Sequence, residues 1–179
     1  MALSESRRNE LIRFAKEIRM NTLECLNHLG FGHYGGSLSV VEVLAVLYKE
    51  VMPMTPDEFA KKDRDYFVLS KGHAGPALYS TLHLKGFFDK EFLLSLNQNG
   101  THLPSHPDRN LTPGIDMTTG SLGQGISAAT GIAYGQKIKD APYYTYTIVG
   151  DGELNEGQCW EAIQFAAHNR LKNFTLFID

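Results

Sequence analysis

YTYTIVGDGELNEG, at residues 144–157, joins a short β-type run to a glycine-rich turn. Residues 144–149 are rich in β-branched and aromatic side chains, which favours a buried strand. An Asp between two glycines after such a strand, as in Gly150-Asp151-Gly152, can aim its carboxylate at a hard cation while the glycines expose backbone N–H groups to an anion. A diphosphate bound with Mg²⁺ fits both halves of this pattern. An ordinary Asp-Gly turn is the simpler alternative for an isolated tripeptide.

Outward from this stretch, strands alternate with helices. Strands are predicted at YFVLS (66–70) and FTLFID (174–179). Apolar spacing predicts a helix over 4–29, with Ser4 as its N-cap and Gly30 as its stop, and a second helix that Ser39 opens and Pro53 ends. Further helices are predicted at about 74–85, 89–96, 123–139 and 156–170, with an irregular segment of more than 20 residues between 100 and 123.

This alternation predicts an open, mainly parallel α/β sheet with helices on both faces, and we treat residues 1–179 as one partial domain. Ligands on such sheets bind beyond the carboxyl ends of the strands. Both Ser70-Lys71-Gly72-His73 and Gly150-Asp151-Gly152 directly follow a predicted strand. The two segments are therefore expected at the same edge of the sheet.

Composition narrows the class of protein. A formal net charge of −3 and the lack of any run of Lys or Arg argue against a nucleic-acid or anionic-membrane partner. Cys25 and Cys159 both fall in predicted helices, as reduced core residues do. The first 18 residues contain acids and no continuous apolar stretch, so we expect neither a signal peptide nor a membrane span, and a cytoplasmic location.

Two other ligand classes match parts of the motifs. Gly150-x-Gly152 partly fits the dinucleotide-binding fingerprint, but its third glycine is absent and its strand arrives after 140 residues. His102 and His106 have the four-residue spacing of a zinc pair, yet Pro104 prevents a regular helix between them. Neither nicotinamide nor zinc is favoured.

Four ordered blocks closely resemble the diphosphate-binding domain of transketolase. They are SKGHAGPALY (70–79), HLPSHPDR (102–109), TTGSLGQG (118–125) and GDGELNEGQCWEA (150–162). The first loop, FGHYGGSLS (31–39), looks most like the N-terminal subunit or section of split transketolases. The resemblance covers essentially the whole chain and implies a thiamine-diphosphate-binding fold with thiamine diphosphate and Mg²⁺ as cofactors.

The resemblance also implies site residues. Asp151 would be a Mg²⁺ ligand. The cofactor-binding residues would be His73 and Gly152 at the diphosphate and Gly120, Ser121 and Leu122 along the cofactor. The catalytic residues would be His33 and His106, which would face the sugar and handle its hydroxyl protons, and Glu156, which would join an acidic network between paired active sites. Imidazole suits proton transfer near neutrality because its ordinary pKa is about 6.5.

The resemblance further implies that the site needs other residues. It places a second Mg²⁺ ligand, an Asn, one or two positions beyond Asp179, and it assigns the glutamate that activates the cofactor to a pyrimidine-binding domain. We therefore expect the sheet to be incomplete at its C-terminal side, and a C-terminal transketolase subunit or section as partner in a homodimer or heterotetramer.

Three functions stay open at this point. The first is the N-terminal part of a transketolase, which would transfer a two-carbon ketol unit between sugar phosphates. The second is an inactive truncated remnant. The third is a fragment of an enzyme like 1-deoxyxylulose-5-phosphate synthase, which HLPSHPDR and GDGELNEGQCWEA favour less.

Overall fold

Three parallel strands form one sheet in the computed structural model, which describes residues 3–52 and 54–179. The strands are β1 (Tyr66–Leu69), β2 (Thr145–Val149) and β3 (Phe174–Ile178), in the order β1-β2-β3. Tyr66 pairs with Thr145, and Thr145 with Phe174, so all three strands run in register toward one carboxyl edge. The predicted parallel α/β sheet is confirmed.

Eight α-helices connect and flank the strands within the described ranges. They are α1 (Glu5–Leu29), α2 (Tyr34–Leu38), α3 (Val41–Val46), α4 (Pro56–Phe59), α5 (Gly75–Leu84), α6 (Lys90–Leu94), α7 (Gln124–Ile138) and α8 (Gly157–His168). Short 3₁₀ turns at Gly72–Ala74 and Gly152–Asn155 follow β1 and β2. In this part of the chain no helix combines the length and apolarity needed to cross a membrane.

The caps of α1 are those that the sequence predicts. The Ser4 hydroxyl accepts a hydrogen bond from the Arg7 N–H at 3.2 Å, which satisfies one of the free donors of the first turn. Gly30 ends the helix in the left-handed conformation, with φ of 87°, where a residue with a Cβ is strained. Both ends of this helix follow from local chemistry.

The glycine-rich loop after α1 differs from the prediction. Tyr34–Leu38 is helical, Ser39 caps the end of this helix, and the next helix starts at Val41, not at Ser39. The reason is tertiary packing, which overrides the poor helix propensity of glycine: a Cβ on Gly36 would lie 2.9 Å from Cδ2 of His73. Helix α3 continues into a π-helical turn, and Pro53, predicted to end it, lies outside the described residues.

Helices cover both faces of the sheet, as predicted. Phe67 and Ile148 point to the face that carries the main core, together with side chains from α1, α3 and α5. Val149 points to the opposite face and packs with Ile126 of α7 and Cys159 of α8. Because strand residues alternate between faces, β2 and β3 contribute to both cores.

A buried ion pair holds the amino end of β1. A guanidinium nitrogen of Arg64 lies 2.5 Å from a carboxylate oxygen of Asp116, with 10% and 3% of the side chains exposed. The other Asp116 oxygen accepts the Phe67 N–H at 2.9 Å. The guanidinium also lies over the rings of Phe59 and Tyr66, 4.3 and 4.2 Å from their centroids. This cluster is at the opposite end of the sheet from the glycine-rich turns.

Candidate functional site

The predicted cofactor loops meet at the carboxyl edge of the sheet. The N–H of Ser70, at the end of β1, donates to the carbonyl of Ile148 at 2.9 Å, which aligns the ends of β1 and β2. The Thr119 hydroxyl donates to the carbonyl of Leu69 at 2.8 Å and brings the Gly120 loop to the same edge. Two adjacent parallel strands thus end in two of the loops, and the Thr119 hydrogen bond adds the third at the same edge, where ligands of open α/β sheets bind.

Glycines make this convergence possible. A Cβ on Gly72 would lie 2.9 Å from the backbone nitrogen of Gly120, so the two backbones pass closer than side chains would allow. Gly120 has φ of 147°, and a Cβ on it would lie 3.3 Å from His106. The two loops therefore pack backbone against backbone, beside the imidazole of His106.

Asp151 sits at the open side of the edge. Its backbone N–H donates to the carbonyl of Asp179 at 2.7 Å, and its carboxylate accepts the Gly152 N–H, also at 2.7 Å. Asp151 is exposed, and a Cβ on Gly152 would meet no atom within 4 Å. The turn therefore presents a fixed carboxylate beside free space, which suits a cation and its anionic ligand.

Three of the predicted histidines form one cluster. The ring centroids of His33 and His73 are 5.3 Å apart, and those of His33 and His106 are 6.2 Å apart. Burial lowers the pKa of His73 below its ordinary value, and the charges of Lys71 and the neighbouring imidazoles lower it further. Burial, followed by His33, likewise lowers the pKa of His106. Both rings are thus neutral near pH 7 and can either donate or accept a proton.

The other predicted residues lie around this edge. Ser121 is exposed, and the Leu122 carbonyl accepts the Gln158 amide at 3.1 Å, which ties its loop to α8. Glu156 is exposed at the start of α8 and makes no side-chain cap. The cofactor-binding and catalytic roles assigned to these residues remain predictions.

Sequence reasoning missed a buried cation at the same edge. Lys71 is 3% exposed and forms an ion pair with Asp179. Ser39 accepts a hydrogen bond from the Lys71 ammonium at 3.2 Å and donates to the Asp179 carboxylate at 2.6 Å. Burial alone would raise the pKa of Asp179, but the bonds from Lys71 and Ser39 leave it below its ordinary value. The sequence feature that could have indicated this residue is a charged Lys directly after the predicted buried strand at 66–70.

Glu153 was also missed. It is 2% exposed although it follows the exposed Gly152, and its carboxylate accepts hydrogen bonds from three different loops. An acidic residue in a surface turn is normally solvated, so nothing in the local pattern distinguishes it from Glu156.

The donor set fits Mg²⁺ with a diphosphate. In the described part of the chain, no group of three His, Cys, Asp or Glu residues could hold a metal by itself. Mg²⁺ commonly binds one or two carboxylates and takes its remaining ligands from phosphate oxygens and water. Asp151 would supply such a carboxylate, and neutral His73 and the exposed backbone at Gly152 suit phosphate oxygens.

Comparison with known proteins connects this geometry to a family. The model for "Transketolase, thiamine diphosphate binding domain" matches residues 11–179. The 6-deoxy-6-sulfo-D-fructose transketolase subunit SqwG of Clostridium sp. (strain MSTE9) is 54% identical over 165 residues, which are 92% of this chain and 60% of that protein. An apulose-4-phosphate transketolase subunit of Phocaeicola vulgatus is 40% identical over 161 residues, 90% of this chain and 57% of its own length.

Longer relatives share the same region. Human transketolase is 39% identical over 166 residues, 92% of this chain and 26% of that protein. The structure of transketolase from Leishmania mexicana superposes with a TM-score of 0.89 at 34% identity, covering 94% of this chain and 27% of that one. The chain thus spans less than two thirds of each of these relatives. It belongs to the transketolase family and carries that family's thiamine-diphosphate-binding domain.

Proposed function

We propose that this chain is the N-terminal part of a transketolase, which transfers a two-carbon ketol unit from a ketose phosphate to an aldose phosphate with thiamine diphosphate and Mg²⁺. The observation that carries the proposal is the convergence of the Asp151 turn, the Gly120 loop and the histidine cluster on one sheet edge. Family membership gives this convergence its chemistry. The individual residue roles, the metal and the sugar substrates belong to the proposal.

The cofactor would be held by the strand-end loops. Asp151 would bind Mg²⁺, and the Gly152 backbone and His73 would contact the diphosphate. The rest of the cofactor would be lined by Gly120, Ser121 and Leu122. When bound, thiamine diphosphate supplies the carbon nucleophile that a ketose carbonyl needs.

The remaining chemistry is proton transfer at sugar hydroxyls. His33 and His106 would hold these hydroxyls and exchange protons with them, because a neutral imidazole can accept a proton and return it. Burial and the neighbouring His33 lower the pKa of His106, which favours the neutral ring near pH 7. Glu156, exposed near the start of α8, would take part in an acidic network with a second site.

A partner chain or section would complete the enzyme. Two relatives are named as subunits, and this chain spans 60% and 57% of them. We propose that a C-terminal transketolase section supplies the residues that activate the cofactor, in a homodimer or a heterotetramer. The proposed location is the cytoplasm, which fractionation of cells would test.

Ketol transfer by the whole protein with its partner tests the proposal. Product formation from a ketose phosphate and an aldose phosphate should require both thiamine diphosphate and Mg²⁺, and Asp151→Ala should remove it. Asp63→Ala, an exposed carboxylate before β1, is the matched control and should retain activity. Calorimetric titration with thiamine diphosphate and Mg²⁺ distinguishes a functional transketolase part, which should bind the cofactor, from an inert remnant, which should not. Lack of both binding and transfer by the wild type would refute the proposal.

A sulfonated sugar is a second candidate donor. Identity is 54% with the SqwG relative, against 40% with the apulose-4-phosphate relative and 39% with human transketolase. A sulfonate and a phosphate are both tetrahedral anions, so a sugar site that takes one can be adapted to the other. Comparison of kcat/KM for 6-deoxy-6-sulfofructose and fructose 6-phosphate decides between them, and a higher value for the phosphate would reject this candidate.

A further inference from the structure

One buried carboxylate joins three loops of the candidate site. Oε1 of Glu153 accepts the Ser70 hydroxyl at 2.5 Å and the Gly123 N–H at 2.7 Å, and Oε2 accepts the Gly150 N–H at 3.1 Å. Ser70 follows β1, Gly123 precedes α7, and Gly150 follows β2. We call these four residues the carboxylate junction.

Each donor lies beside residues assigned to the cofactor. Ser70 is three positions before His73, Gly123 directly follows Leu122, and Gly150 directly precedes Asp151. The junction therefore connects all three loops at their bases, on the protein side of the site. Since Glu153 is 2% exposed, its carboxylate faces the loops and not the solvent or the cofactor space.

The junction compensates a buried charge without a cation. Within the described ranges, no Lys, Arg or His nitrogen lies within 4 Å of the Glu153 carboxylate. Its three donors supply charge-assisted hydrogen bonds, and the start of α7 adds the positive end of a helix dipole. The Ser70 hydroxyl also accepts the Ile126 N–H at 2.8 Å, so the first turn of α7 is bound to the loop after β1 through the same group. A carboxylate whose acceptor sites are used in this way fixes the relative positions of its donors.

We propose that Glu153 is a positioning residue, which holds the Asp151 turn in the geometry required for Mg²⁺ and so sets the affinity for the metal–diphosphate pair. The inference rests on the proposed cofactor site. Asp151 and Gly152 are exposed, so their turn can relax when Gly150 loses its acceptor. Metal binding must then restore the turn, and the cost of that step appears as weaker Mg²⁺ affinity.

Glu153→Gln isolates the contact to Gly150. An amide oxygen in place of Oε1 can still accept from Ser70 and Gly123, but the amide nitrogen then faces the Gly150 N–H, donor against donor. We expect Mg²⁺ affinity at saturating thiamine diphosphate to fall about tenfold, as for an unsatisfied buried donor. Excess Mg²⁺ should restore kcat, and KM for the sugars should stay unchanged.

Two controls separate positioning from general stability. Ser70→Ala removes one donor of the junction and the acceptor of the Ile126 N–H but leaves the Gly150 contact, so it should lower the melting temperature while Mg²⁺ affinity changes less than about twofold. Asp116→Asn perturbs another buried carboxylate, at the far end of β1, and should lower the melting temperature without changing Mg²⁺ affinity.

Calorimetric titration of Mg²⁺ into the whole protein with its partner and thiamine diphosphate gives the decisive values, with a thermal melt of each variant. Unchanged Mg²⁺ affinity in E153Q, beside a wild type that binds, overturns this inference and leaves the proposed function intact. A wild type that binds no cofactor overturns both. Should E153Q not fold, Ser70→Ala decides, because a tenfold loss of affinity in that variant contradicts the assignment to Gly150.

Discussion

Replacing Arg64 with Met should destabilise the protein strongly, because the partner carboxylate of Asp116 would stay buried without its cation. The Asp116 side chain is 3% exposed, and it would keep its hydrogen bond from the backbone N–H of Phe67 but lose the guanidinium. Removal of one partner of a buried ion pair costs about 3–5 kcal/mol. For a domain of this size, that loss lowers Tm by about 6–20 °C. The two ring contacts of the guanidinium add to the loss.

The pH dependence of the variant gives an independent check. Burial raises the pKa of Asp116 above its ordinary value, although the hydrogen bond and charge of Arg64 oppose it. Without Arg64 that pKa rises further, so the folded state binds more protons than the unfolded state. Stability then falls as pH rises from the ordinary pKa of Asp through the raised one. Lowering the pH from about 8 to about 5 should recover part of the loss in Arg64→Met relative to wild type.

Thermal unfolding followed by near-ultraviolet circular dichroism measures these effects. Asp116→Leu and the double variant complete a mutant cycle, and the double variant should be more stable than the sum of the single losses predicts, since no charge is left buried. Cofactor affinity should stay unchanged because the pair lies at the amino end of β1. An Arg64→Met variant that melts within about 1 °C of wild type, a shift worth well under 1 kcal/mol, would refute the reasoning.

Three further predictions concern packing and titration. Gly125→Ala should lower the free energy of unfolding by about 1–3 kcal/mol, because the added Cβ would lie 2.5 Å from the Cα of Ser70. Gly131→Ala, in the same helix, has free space and should be neutral or stabilising in the same thermal melt, so equal effects of the two variants would contradict this prediction. Cys25 should resist iodoacetamide at neutral pH until the protein is denatured, because its side chain is 1% exposed and burial raises its pKa to about 11. Rapid labelling of the native protein, detected by mass spectrometry, would count against this prediction. Lys71→Met should raise the pKa of His73 in an NMR titration, because the lysine charge contributes to lowering it; a fall or no change would show that this charge is not a cause.

The sequence predicts the sheet because its signals are local and strong. YTYTIV is rich in β-branched and aromatic residues, it ends at glycine, and the observed strand covers Thr145–Val149. The same holds for α1, whose caps lie in the sequence beside it. The helical turn at Tyr34–Leu38 was not predicted, since two of its five residues are glycine and the contact of Gly36 with His73 that explains it spans 37 positions.

The site was predicted unevenly for the same physical reason. Gly-flanked histidines stand out in loops, and the structure brings His33, His73 and His106 together. Glu153 and Lys71 are instead defined by burial and by partners far along the chain, such as Ser70 and Asp179. In a helix or strand, the period of the apolar residues indicates which side chains are buried. A single charged residue in a turn has no such period, so its burial cannot be predicted from one sequence.

The backbone bond between Asp151 and Asp179 connects metal binding to the dynamics of β3. The Asp179 N–H donates to the Val149 carbonyl at 3.0 Å, and the Asp179 carbonyl accepts the Asp151 N–H, so opening the end of β3 breaks a bond to the turn. A ligand that binds only the closed turn should therefore lower the population of locally unfolded β3, by thermodynamic linkage. Amide hydrogen exchange along Phe174–Ile178 would then report occupancy of a site that these residues do not touch.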